Sequence, residues 1–144
     1  MATIRWGSAA FLLILSGCAS RDKIKQAYAN GEGTSETYPV EPKTAFELCR
    51  VVLNWEGAKT IDEYPDEGYM MCRISGAYGC GVGVWISAAE GGKAKVTVIT
   101  KRNMSMSLII ELTETTFQRD LATAVEIHAS GKAIPLEKPG KKPQ

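Results

Sequence analysis

The chain predicts an α+β domain: a helix, three or four antiparallel strands and a second helix, folded as a two-layer sandwich with both helices on one sheet face. Three changes of period carry that expectation. Apolar residues recur every three or four positions from Ala45 to Trp55, alternate with period two from Met70 to Val98, and return to helical spacing from Phe117 to His128. Glycine pairs or clusters at 76–79 and 91–92 mark the reversals between them.

Residues 1–17 stand apart from that domain. Arg5 is followed by the apolar run Ala9-Ala10-Phe11-Leu12-Leu13-Ile14-Leu15, far shorter than the ~20 residues a spanning helix needs. The small residues Ser16 and Gly17 then precede Cys18. Leu15-Ser16-Gly17-Cys18 resembles the lipobox of bacterial lipoproteins, and all four positions match. The resemblance implies that 1–17 is a signal peptide, that the Cys18 thiol takes a diacylglyceryl group, and that the new amino terminus is acylated after cleavage. Each buried methylene adds ~0.8 kcal/mol to membrane attachment, so two or three acyl chains anchor the protein without spanning the bilayer. In the enterobacterial sorting pattern an aspartate after the cysteine retains a lipoprotein at the inner membrane. Ala19 stands there, which implies an outer-membrane, palmitate-type lipoprotein on the periplasmic side.

The chain has 144 residues, with 17 basic and 16 acidic side chains. Losing the signal removes one charge, Arg5, and leaves the basic and acidic side chains equal in number. No overall field favours nucleic acid, and none is expected as a partner. Residues 38–130 are expected to form one small α+β domain, the acylated cysteine and a flexible tether to occupy 18–37, and 131–144 to be a disordered tail with three prolines. A coil of the tether's length spans ~20–25 Å, enough to lift a domain clear of headgroups. A short helical patch around Asp22–Ala29 is the one element suggested within it.

Pro42 sits where the first turn of a helix tolerates its missing N–H, and Ala45, Leu48, Cys49, Val52 and Trp55 form its core stripe up to Gly57. Asp62–Glu67 is acidic and contains Pro65; it lacks the alternating oxygens and placed glycine of a calcium loop, so a solvated connection is expected. Met70, Cys72 and Ile74 then face one way, and Tyr69, Met71 and Arg73 the other. A turn at Gly76-Ala77-Tyr78-Gly79 leads to Cys80, Val82, Val84 and Ile86, alternating with Gly81, Gly83, Trp85 and Ser87. Glycines at period two inside a strand do not make a phosphate loop; they permit close approach of a backbone or an aromatic ring.

Glu90-Gly91-Gly92 closes a hairpin into a strand with Ala94, Val96 and Val98 inward and Lys95, Thr97, Ile99 and Lys101 outward. Met104-Ser105-Met106 is read as loop and Leu108–Ile110 as a short extra strand; the last helix is expected to start near Thr113. Phe117, Leu121, Ala124, Val125 and His128 share a face of it, and His128 is read as a surface or capping group at the helix end. Element order and size over 40–130 resemble the small helix-grip-type domains of bacterial lipoproteins and, distantly, those of the BAM-complex lipoprotein C, a BamC-like fold.

Cys49, Cys72 and Cys80 are expected on inward faces, either as one structural bridge from Cys49 to Cys72 or Cys80, or as buried free thiols. No nucleophile–base pair, Cys-x-x-Cys or metal-ligand spacing is present, so no catalytic residue, metal or cofactor is expected. The expectation is a non-catalytic envelope lipoprotein, attached to the membrane through acyl chains on Cys18, that binds a protein or assists assembly. Its docking surface would be the outer sheet face around Tyr69, Trp85 and Ile99, where large aromatics would lie exposed. The alternative is a carrier of lipid or cell-wall fragments, with a cavity lined by Met70, Val84, Val98 and Phe117.

Overall fold

The computed structural model describes residues 18–74, 80–102 and 107–141, those at 18–20 and 107–113 by their backbone only. The elements in order are α1 (Cys18–Ala29), β1 (Thr34–Tyr38), α2 (Pro42–Trp55), β2 (Ala58–Tyr64), β3 (Tyr69–Ile74), β4 (Cys80–Ala88), β5 (Ala94–Arg102) and α3 (Ser107–Ala129). The five strands form one antiparallel sheet in the order β1-β5-β4-β3-β2. The α+β class and the antiparallel sheet with helices packed on it stand as expected. Among the described residues the sheet has five strands rather than three or four, and the α-helices are three, not two.

The core of the sheet's first face follows from the alternation. Met70 and Cys72 of β3, Val82, Val84 and Ile86 of β4, and Ala94, Val96 and Val98 of β5 share one side. Against them α2 lays Ala45, Leu48, Cys49, Val52 and Trp55, joined by Phe46 and Leu53, and α3 lays Phe117, Leu121, Ala124 and Val125. Pro42 opens α2 at a position where the lost N–H costs nothing, and Gly57, at φ 92°, follows its end. α2 and α3 thus do occupy one face. α1 covers the other, where Ile24 and Ala27 pack with Tyr69, Met71, Trp85 and Ile99.

Four expectations change. The segment read as a flexible tether at 18–37 holds α1 and β1. β1 is polar, Thr-Ser-Glu-Thr-Tyr, because it is an edge strand with three of its five residues exposed, so it carries no apolar alternation to read. Asp62 and Glu63, expected in a solvated connection, lie on β2, the opposite edge, and only residues 65–68 turn the chain. Leu108–Ile110, expected as an extra strand, and Thr113, expected as the helix start, fall inside α3. The physical reason is topological: β5 is flanked by β4 and β1, so a strand following it would find both edges of β5 taken.

The fourth change concerns the tail. Residues expected to be disordered run back over the end of α2: the Trp55 indole donates to the Pro135 carbonyl at 2.9 Å, and Ile134 packs on the main core. The signal peptide at 1–17, the turn at 76–79, the Met104-Ser105-Met106 loop and the last residues of the tail, 142–144, lie outside the described residues.

Candidate functional site

The face chosen for docking is real as a cluster but is not open. Tyr69, Trp85 and Ile99 do come together on one side of β3, β4 and β5, yet they are only 6%, 8% and 1% exposed. α1 passes over them from the β2 side of the sheet toward β5. Arg21 pairs with Asp62 on β2, the Lys25 ammonium stands 5.5 Å from the centre of the Tyr69 ring, and Tyr28 stacks on Trp85 at 4.2 Å and 6°. Just past the helix, Glu32 bonds Lys101 on β5 at 2.7 Å.

Trp85 continues the stack to Tyr69 at 5.6 Å, and Tyr69 to Tyr64 at 4.5 Å. The glycines of β4 make room for this layer. A Cβ on Gly83 would stand 2.5 Å from the Trp85 ring and 2.6 Å from Ile24, and one on Gly81 would meet Ile24 at 2.9 Å. The close approach of an aromatic ring expected at these glycines is thus observed, with a helix of the same chain as its cover.

An open groove lies at the other face. Pro42, Phe46 and Arg50 of α2, Glu63 of β2, Pro65 of the following turn and Ile86 of β4 line a concavity of about 350 Å³. Its apolar floor is rimmed by charge, with Arg50 and Glu63 paired across it. The volume lies at the lower end of the ~300–1,000 Å³ typical of small-ligand sites. The cavity expected between helices and sheet is absent at the residues expected to line it: Met70, Val84 and Val98 are 0% exposed and Phe117 2%, all in one packed cluster.

The structure also assembles a carboxylate pair that the sequence does not announce. Glu56 at the end of α2 and Asp120 of α3 meet beside Lys138, whose ammonium lies 2.5 Å from Asp120 Oδ2 and 3.8 Å from Glu56 Oε1. Burial, and then a hydrogen bond with Asp120, push the Glu56 carboxyl up to about 7, against the opposing pull of Lys138 and Arg119. The two residues are 64 positions apart in the chain. No local motif could have signalled the pair. Trp55, Glu56, Thr116, Lys138 and Lys141 border a shallow depression there, closed on one side by the tail itself.

A second polar group is wholly internal. Glu114 of α3 accepts from the Thr34 hydroxyl at 2.7 Å, the Thr100 backbone N–H at 2.9 Å and the Thr100 hydroxyl at 3.2 Å. One turn on, the Gln118 amide donates to the carbonyls of Thr34 and Val96, and its carbonyl accepts from Tyr38 at 2.6 Å. These bonds tie α3 to β1 and β5, and are structural staples.

Cys49, Cys72 and Cys80 are free and buried. Of the two readings left open, bridge or free thiols, the second is observed. Cys72 pairs in register with Val82 and Cys80 with Ile74, so the two thiols are diagonal neighbours on one face. Such neighbours stand ~7–8 Å apart, beyond the usual disulfide span. Burial pushes the Cys72 thiol up to about 12 and raises Cys49 and Cys80 as well, which keeps them unreactive.

His128, read as a surface or capping group, is exposed in the last turn of α3. Among the described residues no group of three or more His, Cys, Asp or Glu is placed to hold a metal ion. Comparison of the chain with protein-family models, with curated proteins and with solved structures finds no match.

Proposed function

We propose that this chain is a lipid-anchored envelope lipoprotein, held by acyl chains on Cys18 at the periplasmic side of the outer membrane, that acts as a non-catalytic protein-binding or assembly-accessory module. The observation that carries the anchoring is Leu15-Ser16-Gly17-Cys18 at the end of a short apolar run.

With Tyr69, Trp85 and Ile99 under α1, partner binding passes to the groove beside α2, whose apolar floor and paired charged rim suit a short peptide segment. A second reading, a carrier of a small lipid or cell-wall fragment, is favoured by the same groove's volume of about 350 Å³. The anchoring is tested by the mass of the chain extracted from envelopes: acyl groups on a chain that begins at Cys18 are expected, and Cys18→Ser leaves the protein unacylated and outside the membrane fraction. An unacylated, full-length wild-type chain refutes it. For the groove, Arg50→Glu, an exposed position on its rim, is expected to weaken capture of the partner by cross-linking in whole envelopes severalfold, with the fold retained.

A further inference from the structure

Away from the groove, the C-terminal tail is held at separate points, as a bound peptide is, rather than along its length. Residues 132–138 are neither helix nor strand, and of residues 130–141 only Ile134 and Lys138 are half-buried. Ile134 packs on the main core, the Pro135 carbonyl accepts the Trp55 indole N–H at 2.9 Å, and the Lys138 ammonium lies 2.5 Å from Asp120 Oδ2. Leu136, between these anchors, is 95% exposed.

Each anchor answers a need that the body has without the tail. Trp55 is 7% exposed, and a buried indole N–H requires an acceptor. The Asp120 side chain is 6% exposed, and its other cationic neighbour, Arg119 at 3.6 Å, is itself 68% exposed. A buried carboxylate deprived of its partner is costly. Glu56 sets a second acid 3.8 Å from the same ammonium. The end of α2 and the middle of α3 thus form a site for an extended segment that offers an aliphatic side chain, a free carbonyl next to it and an ammonium four residues on, as Ile134, Pro135 and Lys138 do.

We propose that this site also takes the tail of a second copy, so that two chains exchange residues 132–141 and each tail lies in the other's site. A second copy is the favoured source because its tail carries the required groups at the required spacing. The exchange opens no helix or strand: the chain reverses after α3 at Gly131, φ 73°, and swinging that turn outward moves only the tail. The exchanged form remakes the same three contacts, which makes it a low-cost route to a dimer. A short tether gives the tail a local concentration on the order of millimolar at its own site. The closed monomer therefore prevails in dilute solution, and exchange sets in as the protein concentration approaches that value.

The test uses the full chain in its acyl-free Cys18→Ser form. Ile134→Asp combined with Lys138→Glu reverses both side-chain anchors of the tail, at half-buried positions, and leaves the site intact. A fluorescent peptide of residues 132–141 is expected to bind that chain, and to bind the parent at least tenfold more weakly because the parent's own tail competes. Adding Glu56→Gln and Asp120→Asn, which keep the side-chain shapes, should weaken the peptide at least tenfold. In sedimentation the parent should be a monomer when dilute and a dimer at roughly millimolar concentration, while the tail variant stays monomeric throughout. A folded tail variant that does not bind the peptide refutes the site. Peptide binding without dimerisation of the parent refutes the exchange and assigns the site to a foreign segment of the same chemistry. A dimer that persists in the tail variant overturns the exchange as well.

Discussion

Replacing Gly83 by alanine gives opposite signs for a docked α1 and for a flexible tether. In a strand whose outer face met only water, Gly83→Ala would stabilise the fold by ~0.5–1 kcal/mol, because glycine loses the most backbone freedom on folding. In this structure the new methyl would lie 2.5 Å from the Trp85 ring and 2.6 Å from Ile24, well inside contact distance of both. Overpacking of a filled core costs ~1–3 kcal/mol. Taking off the backbone gain leaves a net loss of about 1–2 kcal/mol. With a urea slope of roughly 2 kcal/mol/M, the unfolding midpoint of the acyl-free Cys18→Ser chain should fall by about 0.5–1 M. Gly81→Ala is the internal control: its methyl meets only the flexible tip of Ile24, at 2.9 Å, and the Lys101 carbonyl is 3.9 Å away. It should change the midpoint little. Ile24→Ala combined with Gly83→Ala should recover part of the loss, a coupling a double-mutant cycle reads directly. Tryptophan fluorescence follows the transition and reports loss of the Tyr28–Trp85 stack. A neutral or stabilising Gly83→Ala would mean that α1 does not dock on β4, and the account of the second face would fall with it.

Three further outcomes are expected. Glu114→Ala strands the buried Thr100 N–H and should destabilise the domain by about 2–4 kcal/mol in urea unfolding, with Glu114→Gln costing clearly less. Because the Glu56 carboxyl is raised from 4.5 to about 7 in the folded state, its contribution is fully present below pH ~4.5 and is lost as pH rises through 7; Glu56→Gln should flatten that part of the stability–pH curve. Cys49, Cys72 and Cys80 should resist a soluble disulfide reagent in native buffer and react together in denaturant, whereas fast labelling of the native state would show that a thiol is accessible.

The half of the fold that rests on filled alternation was legible. The stripe of α2, the inward residues of β3, β4 and β5, and the apolar face of α3 are each dense enough that one period fits and the other does not. The edges were not. β1 has no apolar alternation, β2 mixes Ile61 with Asp62 and Glu63, and among its described side chains α1 offers only Ile24, Ala27 and the half-exposed Tyr28 to the sheet. Sparse apolar content is the normal condition of an element that caps a layer rather than filling one. The Glu56–Asp120–Lys138 cluster was invisible for a different reason: it joins a helix end, a second helix and the tail, which only tertiary packing brings together.

The misjudged face shows how far an aromatic patch can be taken. Tyr69, Trp85 and Ile99 alternate out of the core side, and the reasoning that large apolar groups on an outer face need a cover was sound. What it lacked was the chain's own supply of one. Among the described side chains of α1 only two are buried, too few to mark it as a core helix, yet a narrow stripe suffices because Gly81 and Gly83 lower the surface beneath it and Trp85 provides a flat ring for Tyr28. Glycines at period two in β4 and the Ile24/Ala27/Tyr28 spacing in α1 are therefore two halves of one signal. Neither reads as structure alone; together they specify a helix-on-sheet contact.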